Sequence, residues 1–461
     1  MKKLMSMLLV AVLAVSLLNG CGGTSDEGSN KTQETSSEQK TANEQSTKGS
    51  DGYKPFVDVQ GVTEDTIYVG NTSPTTGTWA TVGVPFNAGI EAGLWYYNQA
   101  GGFQGKKVVL LHYDDGFDAA QGLTYTQTLV ESDHVFAMLG HFGTNTVGAT
   151  LDYLKEKGIP MVYACTGVDV LYQENATGNN KVIYPVQPIY SAEGRVLLVR
   201  AMADKESGMG LGGTKIGVIA TTDDAGAGLL RGVKREAEDL NPDILYQEVD
   251  PAATDYSAAL NVLKNAGCDV VIGCVNQAPL STLMSSMRDI GYDVDVITSY
   301  VSASAVLLGS LVDNGSITEN RRVYSTAWLD TSTEEGMNGY LRFAEVMNAW
   351  ELENGYSGSE YTLNSYAMCG FIAATLFIDA MTALEEEGLE LDWYNFNDIM
   401  ESLEFEIPMG GHINYHNGAR YGITDLALNT ISLEPDENGS YRLLVVAPID
   451  SIDTVRAAIP G

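Results

Sequence analysis

The fold of this chain is decided by three consecutive segments: TIYVG at 66–70, FNAGIEAGLWYYNQ at 86–99 and KVVLLHY at 107–113. The first and third segments are short apolar runs, which are typical of buried strands, and the middle one is long enough for a helix. Gly101 and Gly102 end that helix. A strand, a helix and a second strand in this order predict a pair of parallel strands with the helix against one face.

The same alternation of strand and helix continues to residue 163 and starts again after Tyr190. Further helices are predicted over 119–131, 147–156, 193–202, 229–237, 256–266 and 280–290. Further strands are predicted over 135–140, 159–163, 215–220, 244–249, 269–273 and 294–298. Because these strands are short and almost continuously apolar, we expect parallel sheets covered by helices on both faces. The two runs, separated near 185–190, predict two α/β lobes.

The end of the chain breaks this alternation. Long helices are predicted over 336–354 and 361–387, and strands over 425–431 and 441–446. We expect the late helices to return to one lobe and the late strands to the other, so that several crossings form a hinge. Open α/β sheets bind ligands outside the carboxyl ends of their strands, so the expected site is a cleft between the lobes.

The chain opens with a segment typical of a secretory signal, MKKLMSMLLVAVLAVSLLNGC at 1–21. Two lysines precede an apolar run over 4–18 that is too short to span a bilayer as a lasting helix. The small residue Gly20 then precedes Cys21, an order that resembles a bacterial lipobox. We expect residues 1–20 to be a signal peptide and Cys21 to carry a lipid. Cleavage that leaves Cys21 free is the alternative.

A polar segment follows the expected cleavage site. Residues 22–52 contain Ala42 as their only apolar side chain. They bury too little surface to offset ordering entropy, so we expect residues 21–55 to be a lipid-anchored flexible tether with a reach of about 30 Å. No later stretch is expected to be long and apolar enough to span a membrane. The body would be extracytoplasmic and lipid-anchored to the cell membrane, on the outer face of the cytoplasmic membrane in a Gram-positive cell.

Composition excludes several functions. The chain has 60 acidic and 26 basic residues, a net charge of −34, and nucleic acid or an anionic surface would repel it. The five histidines are scattered, so we expect no metal site and no cofactor. Four cysteines follow Cys21 at spacings that match no zinc or redox pattern. We expect buried thiols and leave disulfides open for these four: Cys165, Cys268, Cys274 and Cys369.

Several short motifs occur together in a familiar order. They are NTSPTTGTWATVG at 71–83, NQAGGFQG at 98–105, YDD at 113–115, GHFGTN at 140–145, KGIPMVY at 157–163 and a late MGG at 409–411 followed by NG at 417–418. With this order the chain, from residue 64 to its end, resembles the extracytoplasmic binding proteins of branched-chain amino acid ABC transporters, of the Leu/Ile/Val type. Each motif alone is weak, but their order and spacing are specific.

The resemblance implies the type I periplasmic-binding fold, an α/β protein with two doubly wound parallel-sheet lobes joined by a multi-crossing hinge. Lobe 1 would comprise 64–188 and 328–424, and lobe 2 would comprise 189–327 and 425–461. It also implies a monomer without catalytic activity. Such a protein captures an amino acid or a related small polar or carboxylate solute and delivers it to ABC permease subunits. The alternative is a ligand-sensing receptor-type protein for an amide, a urea-like compound or an aromatic acid.

Candidate ligand contacts in lobe 1 follow two strands and a turn. The loop 143–146 opens a helix, whose free N–H groups favour a carboxylate, and the resemblance aligns Thr144 with a serine that holds one. Thr144 and its neighbour Asn145 could equally be ordinary helix caps. The resemblance also implies that the next loop supplies a carbonyl and a hydroxyl to the amine and the carboxylate of the ligand. The residues of this loop are Ala164, Cys165 and Thr166.

The turn after the first strand carries Trp79, which could cover a ligand in the cleft at low entropy cost. A packed surface tryptophan is the alternative. Catalysis by Cys165 is disfavoured, because no histidine is near it in sequence.

Candidates in lobe 2 follow three strands. They are Asp223 and Asp224, Asn276, and Tyr300. The chain departs from the family here, because Tyr300 takes the place of the glutamate that pairs with a ligand ammonium. Asp223 or Asp224 could substitute, since an ammonium requires a carboxylate, or both could be an N-cap and a first-turn charge.

A dinucleotide-dependent enzyme is the main catalytic rival. The glycines at 226, 228 and 232 follow a strand and open a helix, but their spacing differs by one from the dinucleotide fingerprint. Asp223 and Asp224 would also repel a pyrophosphate. We therefore expect no enzymatic activity.

Overall fold

The computed structural model describes residues 52–437 and 439–460. The expected signal peptide, the lipid site at Cys21 and most of the expected tether lie outside the described residues.

The first sheet has five parallel strands in the order β2-β1-β3-β4-β5. In chain order its elements are β1 (Thr66–Ser73), α1 (Ala80–Gln99), β2 (Lys107–Asp114), α2 (Ala119–Glu131), β3 (Ala137–Phe142), α3 (Thr144–Lys157), β4 (Met161–Cys165) and β5 (Ile183–Tyr184). The strand order reverses between β1 and β3, which places a crevice at their carboxyl ends.

The second sheet repeats this arrangement. Its elements are α4 (Tyr190–Met202), β6 (Lys215–Thr221), α5 (Asp224–Leu240), β7 (Asp243–Val249), α6 (Ser257–Ala266), β8 (Val270–Cys274), α7 (Gln277–Asp289), β9 (Asp295–Thr298), α8 (Ala305–Asp313) and β10 (Val323–Ala327). The strand order β7-β6-β8-β9-β10 has the pattern of the first sheet, so its crevice lies between β6 and β8.

The end of the chain contributes to both halves. It forms α9 (Glu334–Glu353), α10 (Ser365–Glu386), α11 (Trp393–Ser402), the hairpin β11 (Glu404–Ile407) and β12 (Gly411–Asn414), then β13 (Leu426–Ile431), β14 (Leu443–Asp450) and α12 (Ile452–Arg456). Helices α9 and α10 contact α1, whereas β13 and β14 extend the second sheet as antiparallel strands. The chain therefore passes between the two halves over 185–189, 328–333 and 419–425.

The predicted fold class is confirmed, with differences in detail. The predicted strands and helices all occur, but α1 begins at Ala80 with Pro85 inside it, six residues before the predicted start. The second sheet is mixed, because β13 and β14 run antiparallel to the other strands. The prediction omitted several short elements, namely β5, α8, β10, α11, the β11–β12 hairpin and α12. The residue bounds of the two lobes stay a prediction.

Helix α10 is buried at the centre of the first half. It is the one helix among the described residues that is long and apolar enough to cross a membrane, and 72% of its most apolar window is buried inside the protein. The expectation that no later stretch is long and apolar enough is therefore wrong by length and composition. The contacts of α10 with α1, β3 and β4 explain its all-round apolar surface.

Helices α1 and α10 approach each other through glycines. A Cβ added at Gly370 would overlap the backbone oxygen of Phe86, and one added at Gly89 would overlap the backbone oxygen of Ala367. At Gly93 an added Cβ would lie 2.6 Å from the Ala374 Cβ. These contacts require that the helices carry no side chain at the crossing point.

We expect Gly370→Ala to destabilise the protein by at least about 2 kcal/mol, because backbone atoms cannot yield as side chains do. Urea denaturation measures the change. The matched control is Gly148→Ala in α3, where an added Cβ meets no atom within 4 Å. That variant should be neutral or more stable by about 0.5–1 kcal/mol, the usual helix gain over glycine. Equal stability of the two variants would contradict the close helix crossing.

Candidate functional site

A cavity of about 160 Å³ lies at the carboxyl ends of the strands of both sheets. The first half contributes Trp79, Val82, Phe117, Phe142, Gly143, Thr144, Cys165, Ser365, Tyr366 and Cys369. The second half and the connecting segments contribute Gln187, Tyr190, Asn276, Gln277, Tyr300, Val301, Ala303, Ser304, Ser325, Thr326, Ala327, Trp328, Leu329, Asn429 and Leu443. The cavity therefore occupies the place that the strand order of each sheet predicts for a ligand.

Five of the predicted site residues line this cavity. They are Trp79, Thr144, Cys165, Asn276 and Tyr300. A sixth, Thr166, is buried directly behind Thr144, and the two hydroxyl oxygens are 2.8 Å apart. The structure thus brings together residues that are up to 221 positions apart in sequence, from Trp79 to Tyr300 (300 − 79).

The other four predicted residues do not line the cavity. Ala164 is fully buried within β4, and Asn145 is exposed in the first turn of α3. Asp223 is the N-cap of α5, where its carboxylate accepts hydrogen bonds from the Gly226 N–H (2.8 Å) and the Thr221 hydroxyl (2.9 Å). Asp224 is exposed in the first turn of the same helix. These are the positions of a cap and a favourable first-turn charge.

The amino end of α3 presents unused hydrogen-bond donors to the cavity. Its N-cap, Gly143, has φ +97° and offers no side chain to the first N–H groups of the helix. An added Cβ at Gly143 would lie 2.7 Å from the Phe117 ring, so a larger capping residue does not fit. Free N–H groups at a helix start, with the positive end of its dipole, favour an anionic or strongly accepting group.

Three hydroxyl groups surround this helix end. The Thr144 and Thr166 hydroxyls are hydrogen-bonded to each other, and the Tyr190 hydroxyl interacts with both. Burial raises the pKa of Tyr190, and these hydroxyl contacts oppose that rise. Tyr190 therefore stays protonated at neutral pH and can donate a hydrogen bond. Sequence reasoning missed Tyr190, because it was read only as the start of the second α/β run.

Aromatic rings form the walls of the cavity. Trp79 stacks on Phe117, with ring centres 4.5 Å apart and planes at 18°. Tyr300 meets Trp328 edge to face at 6.5 Å, and Phe142 lies 6.2 Å from Tyr366. Such walls suit a ligand with apolar or aromatic surface.

Phe117 holds its wall position with an unusual backbone. Its φ is +67°, which side-chain-bearing residues seldom adopt. The carboxylate of Asp115 accepts the Phe117 N–H at 2.9 Å and the Thr146 hydroxyl at 2.9 Å, and so joins the β2–α2 loop to α3. Backbone strain of this kind tends to occur at binding sites. The signal for this loop in the sequence was the YDD motif at 113–115, whose last residue is Asp115.

The sequence and the fold are both similar to those of known proteins. A family model described as "Periplasmic binding protein" matches residues 66–432, which include the strands of both sheets except β14. The chain belongs to the periplasmic binding protein family. The family resemblance inferred from the motifs is confirmed, and the relatives described next carry Leu/Ile/Val-binding names.

Two curated relatives of this periplasmic binding protein come from Brucella abortus. The Leu/Ile/Val-binding protein homolog 2 is 26% identical over 235 residues, which are 50% of this chain and 60% of that protein. The Leu/Ile/Val-binding protein homolog 1 is 27% identical over 314 residues, 65% of this chain and 75% of that protein. The chain thus spans only three fifths of the first relative's length.

Solved structures confirm the type I periplasmic-binding fold. The fatty acid ABC transporter substrate-binding protein from Thermomonospora curvata has a TM-score of 0.70 at 17% identity, with 88% of this chain and 97% of that one covered. A branched-chain amino acid ABC transporter protein from Thermus thermophilus with bound valine has a TM-score of 0.68 at 15% identity, with 86% and 99% covered. At such identities the likeness shows the fold alone.

A buried carboxylate supports the cavity wall of this periplasmic binding protein from behind. Glu193, in the first turn of α4, is fully buried and accepts hydrogen bonds from the Ser299 hydroxyl (2.8 Å), the Tyr300 N–H (3.0 Å) and the Thr326 hydroxyl. It joins α4 to the ends of β9 and β10, next to two of the crossing segments. Sequence reasoning missed it, because one glutamate in an amphipathic helix carries no signal of burial.

Glu193 should make the protein less stable as pH rises. Burial raises the pKa of Glu193 from 4.5 to about 7, although its hydrogen bonds oppose the rise. The folded state therefore binds this proton more tightly than the unfolded state does. Its stabilising contribution is present below about pH 4.5 and is lost as pH rises to about 7, a change of about 3 kcal/mol.

We expect Glu193→Gln, which keeps the side chain neutral at every pH, to remove this loss. The stability of the variant relative to wild type should rise by about 3 kcal/mol between about pH 5 and about pH 8, as measured by urea denaturation. The control is Glu206→Gln, at an exposed position, whose difference from wild type should not change with pH. Parallel pH curves for wild type and Glu193→Gln would contradict a neutral buried glutamate.

Proposed function

We propose that this protein is the extracytoplasmic substrate-binding component of an ABC importer, and that it captures a small solute in the cavity between its two lobes. The observation that carries the proposal is the uncapped amino end of α3, surrounded by the hydroxyls of Thr144, Thr166 and Tyr190. This arrangement suits a carboxylate, which would accept hydrogen bonds from both backbone and side chains. The names of the relatives, which refer to Leu/Ile/Val binding and to fatty acid transport, support the same reading.

Contacts across the cavity support a closing motion of the lobes. The Gln277 amide donates to the Tyr366 hydroxyl at 3.2 Å, from the start of α7 to the start of α10. The Tyr300 hydroxyl donates to the backbone oxygen of Pro188, in the first crossing segment, at 3.0 Å. A ligand held between these elements contacts both halves and so favours the closed state. The proposed lobes are 64–188 with 328–424, and 189–327 with 425–461.

The protein is proposed to act without catalysis, metal or cofactor, as a monomer that delivers its ligand to membrane permease subunits. Among the described residues, no group of three or more His, Cys, Asp or Glu side chains is arranged to hold a metal ion. The cysteines at 165, 268, 274 and 369 are free and buried, and burial raises the pKa of the Cys165 thiol well above its usual value. A thiol of this kind is a poor nucleophile, which supports a binding role for Cys165.

We expect Thr144→Val to weaken binding of the natural ligand about 10- to 100-fold, because an acceptor at the α3 end loses one hydrogen bond at nearly constant side-chain volume. The ligand is identified by mass spectrometry of the solute released from denatured protein, and its affinity is measured by calorimetry. The control is Asn145→Ala, the exposed neighbour outside the cavity, which should bind within about twofold of wild type. Equal affinity of Thr144→Val and wild type would contradict a ligand contact by the Thr144 hydroxyl.

Membrane attachment through a lipid at Cys21 is the other part of the proposal. We expect the wild-type protein to fractionate with membranes and Cys21→Ala to appear in the soluble extracytoplasmic fraction, because one acyl-bearing residue is the only proposed anchor. Membrane fractionation followed by immunoblotting measures this. Cys268→Ala, at a buried thiol, is the control and should stay with the membrane. An equal membrane share for Cys21→Ala would show that another anchor holds the protein.

A further inference from the structure

The cavity wall carries no charged side chain. Among the described residues that line it there is no Asp, Glu, Lys, Arg or His. This is a marked departure from the rest of the chain, in which 60 of 461 residues are acidic and 26 are basic. The polar groups of the wall are hydroxyls and amides, so the cavity can satisfy a ligand by neutral hydrogen bonds and by the α3 helix end.

A ligand ammonium would have no counter-charge in this cavity. Burying an ammonium without a carboxylate partner costs far more than neutral hydrogen bonds return. The buried carboxylate of Glu193, behind Tyr300 and Thr326 of the wall, already accepts three protein donors and does not line the cavity. Asp223 is likewise engaged as the cap of α5. An α-amino acid therefore meets donors for its carboxylate but no anion for its ammonium.

The second half offers an acceptor that no protein group uses. Asn429, on β13, lines the cavity and is only 6% exposed, and its side-chain oxygen has no hydrogen-bond partner in the described structure. A buried amide oxygen without a donor is costly, and a ligand that supplies a donor would remove that cost. Because the neighbouring wall is neutral, a hydroxyl or an amide N–H fits this oxygen, on the side of the cavity formed by the second half.

The shape and size of the cavity limit the apolar part of the ligand. Aromatic pairs form its walls, namely Trp79 with Phe117, Tyr300 with Trp328, and Phe142 with Tyr366. Its volume of about 160 Å³ is close to that of an apolar protein cavity of about 150 Å³ that binds benzene. Flat aromatic walls and this volume favour a single aromatic ring over a long acyl chain.

From these observations we infer that the natural ligand is a compact single-ring aromatic acid without an ammonium group, bearing a hydroxyl or amide donor for Asn429. This inference rests on the proposed binding function and names its substrate class. The carboxylate would lie at the α3 end, the donor on the adjacent carbon would face Asn429 across the cleft, and the ring would pack between the aromatic walls.

Four probes test the ligand class by calorimetry. L-3-Phenyllactate and L-phenylalanine differ only in a hydroxyl or an ammonium on the same carbon, and 3-phenylpropanoate carries neither group. The fourth probe, 2-hydroxy-4-methylpentanoate, replaces the ring with a branched alkyl chain. Phenyllactate should bind at least about tenfold more tightly than each of the other three, a difference of about 1.4 kcal/mol or more.

Two variants assign the effect to the proposed contacts. Asn429→Leu keeps the branched four-atom shape of the side chain and removes the acceptor, so phenyllactate should lose its advantage over 3-phenylpropanoate in this variant. Asn276→Asp adds a carboxylate to the wall at an N-cap, where aspartate is accepted. That variant should bind phenylalanine at least about tenfold more tightly than wild type does. The control is Asn261→Asp, the same substitution at an exposed position of α6.

The outcomes separate this inference from the proposed function. Phenylalanine binding as tightly as phenyllactate, or no binding by any probe at about 1 mM, would overturn the ligand class. An advantage of phenyllactate that survives Asn429→Leu would overturn the role of Asn429. The binding function itself is judged by the solute released from the purified protein. If that solute carries an ammonium, the inferred ligand class is wrong, but the protein is still shown to bind a small solute.

Discussion

The crossing of α1 and α10 determines how the rest of this protein is arranged. At Gly89, Gly93 and Gly370 the two helices meet without side chains between them, and any larger residue would overlap the opposite helix. This contact ties the late helices to the first sheet, although the chain between them has built the whole parallel part of the second sheet. It therefore explains the second crossing, which returns the chain to the first half, whereas the third crossing follows from the pairing of β13 with β10.

The protein is strongly acidic, but the wall of its cleft is neutral. A net charge of −34 surrounds a cavity whose described wall contains no Asp, Glu, Lys, Arg or His. The charge keeps the surface hydrated, and the neutral wall leaves binding to helix-end N–H groups, hydroxyls, amides and aromatic faces. Selectivity in such a site depends on which ligand groups go unsatisfied, because each buried polar group without a partner lowers affinity.

The sequence was enough to predict the two α/β lobes, because apolar periodicity and strand length are local signals. It also placed Thr144, Cys165, Asn276 and Tyr300 in the cleft, since each follows a strand whose carboxyl end must face it. Asp223 and Asp224 satisfy the same rule but turn into the start of α5, and the choice between a cap and a ligand contact depends on side-chain direction. Local pattern does not determine that direction.

Other site residues had no local signal at all. Asn429 reaches the cavity only because β13 pairs antiparallel with β10, a pairing that depends on the third crossing. Glu193 becomes a buried support only when β9 and β10 end beside α4. Phe117 depends on a positive φ that Asp115 stabilises, and phenylalanine is not a residue that signals such a conformation. Long-range pairing and unusual backbone geometry thus account for what the sequence pattern left out.

The interleaved path of the chain also has a consequence for folding kinetics. The first half is complete only after α10 has returned to α1, and the second only after β13 has joined β10, so neither core can close before almost the whole chain is present. Contacts between residues so distant in sequence carry a large loop-closure entropy and raise the contact order. Folding should therefore be completed only after nearly the whole chain has been made, and the two halves should gain their final stability in one late, shared step instead of one after the other.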